Sequence, residues 1–104
     1  MSTFHHTVHF WLRHDLSDDQ RQAFFAGLKR VADSPNVELC RVGVPAGTDR
    51  PVVDNSYDAQ LHCVFASQEK HDAYQSADDE VHTAFIEGFK DCWAKVVIYD
   101  SVEA

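Results

Sequence analysis

The residues best equipped for chemistry lie in one stretch near the C-terminus. Tyr74 precedes His82, and Phe85, Ile86, Phe89 and Trp93 follow His82 at i+3, i+4, i+7 and i+11. If Asp79 starts a helix, that spacing sets one imidazole on an otherwise apolar stripe. An imidazole titrates near neutral pH, so His82 is a candidate general base, and the Tyr74 hydroxyl is a candidate acid or orienting group that polarises a carbonyl. Two plainer roles compete. His82 contacts a ligand without chemistry, or it is a core histidine bonded to a backbone carbonyl, with Tyr74 a half-buried ring whose hydroxyl is satisfied.

Other reactive side chains carry weaker signals. His5 and His9 suggest a metal, but on a strand the two lie about 13 Å apart at ~3.3 Å per residue, too far to share one ion within a chain. No metal is expected from them, and no cofactor is implied. Cys40, Cys63 and Cys92 are odd in number and lack a CxxC pair, which fits small buried hydrophobes in a reducing compartment. The run Asp78-Asp79-Glu80 suits the positive end of a helix and otherwise reads as solvated surface or a pocket rim. Asp100, in phase with Val96 and Ile98, is a structural partner for Arg13 or His6.

These residues need elements to position them. Phe4 to Arg13 alternates as a strand, with His6, Val8, Phe10 and Leu12 on one face and His5, Thr7, His9, Trp11 and Arg13 on the other. Ser17 with Gln20 forms a capping-box start, Phe24, Phe25, Leu28, Val31 and Ala32 follow at helical spacing, and Pro35 ends the helix. Val37 to Val44 reads as a second strand and Tyr57 to Phe65 as a third, with Tyr57, Ala59, Leu61, Cys63 and Phe65 on one face. Between them Ala46 to Ser56 is a long irregular connection, a candidate cover for a pocket mouth. Ser67 caps a short helix to about Gln75, a last helix runs from Asp79 to about Trp93, and Lys95 to Ser101 is the fourth strand.

The order β-α-β-β-α-α-β predicts an α+β fold, a ferredoxin-like four-stranded antiparallel sheet with helices on one face. The second face carries Trp11 among histidines. Left bare it would be an apolar patch, so the expected arrangement is a homodimer with two sheets stacked face to face. His6, Tyr74 and His82 then converge on a cavity inside each protomer, lined by Phe85, Phe89 and Trp93, and suited to a small aromatic or carbonyl ligand.

Bulk properties bound the alternatives. The chain has 104 residues, enough for one domain, and 44% of them are hydrophobic, enough for a single core. A formal net charge of −8 without a basic cluster speaks against nucleic acid and anionic lipid as partners. No apolar window nears the roughly 20 residues of a membrane span and no signal-like start is present, so a cytoplasmic location is expected.

The opening His6-Thr7-Val8-His9-Phe10, the strand Tyr57 to Phe65, Tyr74, His82-Thr83-Ala84-Phe85 and Trp93 to Asp100, taken in order, resemble the stress-responsive dimeric A/B barrel (Dabb) family over about Phe4 to Ser101. The resemblance implies a ferredoxin-like protomer and a homodimer whose two sheets form a dimeric α/β barrel. It extends distantly to the family's plant cyclase that makes olivetolic acid, a cofactor-independent aldol condensation in a pocket between sheet and helices. By that resemblance His82 and Tyr74 fall on the catalytic pair, and His6 and Trp93 on pocket residues. Two departures stand out: two extra residues separate Tyr74 from His82, and Ala59 replaces a histidine of the third strand.

The leading expectation is a homodimeric small-molecule-binding protein. A cofactor-independent cyclase or lyase using His82 and Tyr74 is the alternative. A small monooxygenase of the same superfamily and a stress protein acting through assembly are further ones.

Overall fold

Alternation along the first strand appears directly as burial. In β1 (Phe4–Leu12) each of Phe4, His6, Val8, Phe10 and Leu12 is buried, and the residues between them are only partly covered. The computed structural model describes residues 2–104. β1 pairs antiparallel with β3 (Ala59–Phe65) on one side and β4 (Trp93–Val102) on the other, and β2 (Leu39–Gly43) adds to β3. The order β2-β3-β1-β4 makes β2 and β4 the edges.

Three α-helices lie on one side, which gives the expected α+β ferredoxin-like plan. α1 (Asp18–Lys29) begins at Ser17, whose hydroxyl accepts from the Gln20 N–H while the Gln20 side chain accepts from the Ser17 N–H. Each orphan N–H so satisfied contributes about 1 kcal/mol to a helix start. A 3₁₀ turn (Arg30–Asp33) then brings the chain to Pro35. α2 (Gln68–Gln75) starts from Ser67 and α3 (Glu80–Phe89) from Asp79, each cap side chain accepting an N–H of the first turn. Phe24, Leu28 and Val31 meet Val8, Phe10, Leu61 and Phe65 from the sheet, and the Phe10 ring sits edge-on to Phe24 at 5.3 Å between centroids.

Several boundaries differ from the sequence reading. α3 stops at Phe89, a 3₁₀ turn takes Lys90–Cys92, and Trp93 opens β4 instead of extending the helical stripe. A register shift at Trp11/Leu12 accommodates that early strand start. β1 ends at Leu12, so Arg13 lies beyond it, and β2 is shorter than Val37 to Val44. Tyr57 precedes β3 and turns to the open side, where its ring meets His9 at 4.8 Å. The connection from Ala46 to Ser56 also goes to that side. Its Ser56 hydroxyl accepts from the Trp11 indole N–H, so it covers no mouth between sheet and helices.

Two surfaces of the sheet stay uncovered. The open face presents Trp11, Tyr57, Tyr99 (66% exposed) and Leu39 with His5, His9 and His62. On the helix side, β4 projects beyond the helices and leaves Val96 and Ile98 40% and 49% exposed. Among the described residues no helix is long and apolar enough to cross a membrane.

Candidate functional site

Antiparallel register decides which groups meet beneath the helices. His6 lies opposite Asp100 of β4, so both point to the helix side, and His6 Nδ1 is 2.6 Å from Asp100 Oδ1. The strand phase anticipated this pair, whereas Arg13 pairs instead with Asp15. His6 is only 3% exposed. Burial holds its imidazole below the ordinary 6.5, outweighing the Asp100 hydrogen bond and charge, which favour the cation, and nearby His71 lowers it further. The ring is therefore neutral at pH 7. With an ionised Asp100 the bond requires Nδ1–H to donate, which leaves the Nε2 lone pair free.

Tyr74 and His82 come together although they belong to different helices. Their ring centroids are 4.2 Å apart at 42°, and Tyr74 is 6.0 Å edge-on from the His6 ring. Asp79 controls this approach. Its Oδ1 accepts from the His82 N–H at 2.9 Å, and its Oδ2 accepts from the Ser34 hydroxyl at 2.5 Å and the Asn36 amide at 2.9 Å. One carboxylate thus caps α3 and ties its start to the segment after α1. Burial pushes this acid up, but the three hydrogen bonds outweigh it and keep it below the usual carboxylate range. At 2% exposed, Asp79 is no solvated surface residue, which corrects that reading of the acidic run.

The Tyr74 and His82 side chains are free of protein hydrogen bonds among the described residues, His82 being held through its backbone N–H. Burial drives the Tyr74 phenol far above its ordinary 10, so it stays protonated, a donor. Burial also lowers His82 against the opposing charge of Asp79, so it stays neutral, an acceptor. A hydroxyl that keeps its proton beside an imidazole that lacks one is the pairing that carbonyl chemistry with base assistance needs.

His6, Tyr74 and His82 share one hollow of about 140 Å³, walled by Val8, Phe10, Leu61, Phe85, Ile86 and Trp93 and bordered by Val96 and Ile98. Five of the six anticipated residues line it: His6, Tyr74, His82, Phe85 and Trp93. Phe89 does not. Its ring is turned between α1 and α3 against the bare backbone of Gly27, where an added Cβ would lie 2.2 Å from a ring carbon. Phe89 borders instead a second hollow of about 290 Å³ with Arg30, Asp33 and Glu80, which no imidazole or phenol enters. We therefore place the candidate chemistry in the smaller space.

Sequence reasoning missed two participants. Asp79 reads there as helix start, solvated surface or pocket rim, and His71 carries no signal. His71 stands one turn before Tyr74 on α2, the i, i+3 relation that places both on one face, and its ring lies 5.1 Å from that of His6.

The profile of the "Stress responsive A/B Barrel Domain" (Dabb) matches residues 4–103. Among curated proteins no sequence match is found. Of solved structures, a Dabb family protein with a ferredoxin-like fold from Mesorhizobium loti is 21% identical, with a TM-score of 0.78, covering 100% of this chain and 99% of its own. A hydroxynitrile lyase from Passiflora edulis is 16% identical, with a TM-score of 0.80 and coverage of 98% and 94%. A dimeric ferredoxin-like protein of unknown function from Thermobifida fusca is 18% identical, with a TM-score of 0.76 and coverage of 98% and 92%. At these identities the likeness establishes the fold.

Proposed function

Because the chain belongs to the stress responsive A/B barrel (Dabb) family, we propose that it is a homodimeric small-molecule-binding protein whose ligand enters the hollow between sheet and helices. The observation that carries this reading is the convergence of His6, Tyr74 and His82 on one aromatic-walled space. At about 140 Å³ the hollow is on the order of cavities that hold benzene and well below the ~300 Å³ where drug-sized sites begin. Its ligand is a single ring or a short carbonyl compound. Entry is past Val96 and Ile98, where β4 lacks a helical cover.

Dimerisation uses the open sheet face. Trp11, Tyr57 and Tyr99 form an aromatic group there, and the Lys95 ammonium lies 4.6 Å over the Trp11 ring. A second copy removes this surface from water, and the Thermobifida fusca neighbour is described as dimeric.

A cofactor-independent lyase or cyclase is the second reading, favoured by the Tyr74–His82 contact and by the lyase among the structural neighbours. In it His82 takes a proton from carbon or oxygen while the Tyr74 hydroxyl donates to the carbonyl oxygen. The small volume directs this reading to compact substrates, and the fold by itself assigns no reaction.

The test is a thermal-shift screen of small aromatic aldehydes, ketones and phenols against the wild-type chain, His82→Ala and Tyr74→Phe. A ligand at about 100 times its Kd stabilises by about 2.7 kcal/mol, and that gain disappears in His82→Ala. Stabilisation that persists in both variants, or that no compound produces, rejects the hollow as the site. Turnover lost in Tyr74→Phe with binding retained selects the lyase reading.

A further inference from the structure

We propose that His6, His71 and Asp100 form a binding site for a first-row divalent transition metal ion of the Zn²⁺ class, where β1, α2 and β4 meet beside the hollow. One ligand atom from each of the three lies within 4.8 Å of the others. They come from β1, α2 and β4, so only the folded chain brings them together. Two imidazoles and one carboxylate are a borderline donor set that suits Zn²⁺, Fe²⁺ or Co²⁺ and does not suit the all-oxygen preference of Ca²⁺ or Mg²⁺.

Three features separate this cluster from a chance grouping of polar side chains. The first is an orphan: His71 Nε2 is buried and, among the described residues, has no hydrogen-bond partner, a state that an occupant of the site would relieve. The second concerns tautomer. His71 Nδ1 lies 3.1 Å from Asp72 Oδ1, so Nδ1–H donates outward to that carboxylate and the Nε2 lone pair points inward. A carboxylate behind an imidazole is the arrangement that orients metal-binding histidines and raises their basicity. The third is rigidity. The His71 ring stacks on Phe4 at 4.2 Å and meets the edge of Phe65 at 5.4 Å, which fixes its direction. Ligands about 2.0–2.2 Å from a tetrahedral ion stand roughly 3.3 Å from one another, so Nδ1 of His6 ligates once its proton has moved to Nε2, and it opens from its 2.6 Å approach to Asp100 Oδ1 to admit the ion.

Three protein ligands leave one position open, and Asp100, on the uncovered part of β4, marks the route by which an ion enters. The inference does not depend on the hollow's taking an organic ligand, because only His6 of the three lines that space and the ion is detected by itself.

The competing position is the open face, where His5 Nδ1 and His62 Nε2 are 3.2 Å apart. The experiment therefore uses tag-free, chelator-treated chain. Co²⁺ is titrated and followed by its visible d–d absorption, Zn²⁺ binding is measured by calorimetry, and circular dichroism verifies each variant's fold. One ion per chain is expected, with affinity about 100-fold weaker in His71→Ala and about 10- to 100-fold weaker in Asp72→Asn, and unchanged in His62→Ala. Asp100→Asn, which keeps the side-chain shape, must reproduce the loss if His71→Ala fails to fold. Absence of Co²⁺ absorption in the wild-type chain overturns the proposal. So does wild-type affinity in both His71→Ala and Asp100→Asn, and so does loss of binding in His62→Ala, which moves the ion to the outer pair.

Discussion

The two faces of one sheet carry the same residue type in opposite circumstances. Beneath the helices His6, His71 and His82 each stand beside a carboxylate, from Asp100, Asp72 and Asp79 respectively. On the open face His5 and His62 face each other with no acid between them, and their rings stack at 5.4 Å. On the inner side burial and a neighbouring anion oppose one another at His6 and His82, and burial wins at both. On the outer side burial and the charges of His5 and Arg41 all disfavour protonation of His62. Each inner imidazole has an acid beside it that can orient it toward a ligand, whereas the outer pair has none.

The contrast is most severely tested through the core that holds the inner face. Phe65→Ala empties a fully buried site beside His6, Tyr74 and His71 and is expected to cost about 3–5 kcal/mol in urea unfolding. A smaller loss would mean that the inner wall can collapse, and the hollow with it. Asp79→Ala comes next. It removes a helix cap and leaves Ser34 and Asn36 without their acceptor, an expected loss of about 2 kcal/mol by the same measurement.

Protonation distinguishes the faces more gently. His6 and His82 titrate below 6.5 in the folded chain and near 6.5 when unfolded, so below 6.5 the unfolded chain binds more protons. Their contribution to stability is complete above 6.5 and is lost as pH falls through the folded values. Tm measured from about pH 7.5 down to about pH 5 should decline, and His82→Gln should flatten part of that slope. The depressed Asp79 acts in the same direction but only below the usual carboxylate range, so it falls outside this window. The smallest effect is on the outer face. Tyr99→Ser at subunit concentrations low enough to dissociate a dimer should change unfolding by less than about 0.5 kcal/mol. Sedimentation at higher concentration should show weaker association, and an effect as large as that of Phe65→Ala would erase the distinction between the faces.

Much of the fold was legible because strand alternation is a strong local signal. Placing His6, Val8 and Phe10 on the inner side predicted their burial, and the phase of Asp100 predicted its meeting with His6. The capping box at Ser17, the cap at Ser67 and the proline stop at Pro35 worked for the same reason, since each depends on residues within about one turn. Local signals failed where tertiary packing decides. Trp93 continues the helical spacing of Phe85 and Phe89, yet β1 recruits it into a strand. Phe89 leaves the hollow because Gly27, far away in sequence, offers it bare backbone. His71 sits in a helix so polar that its inward face gave no periodic signal, and only the fold places it near His6 and Asp100.

β4 hydrogen-bonds to β1 along one flank, and its other flank is a sheet edge. Over ten residues it contains neither proline nor glycine, and Lys95 and Asp100 are its only charges. Those two side chains therefore act as gatekeepers against cross-β growth, the hazard of every long unprotected strand. Exchanging both for threonine should turn a dispersed protein into a fibril-former, at the cost of the hydrogen bond that buried His6 gives to Asp100.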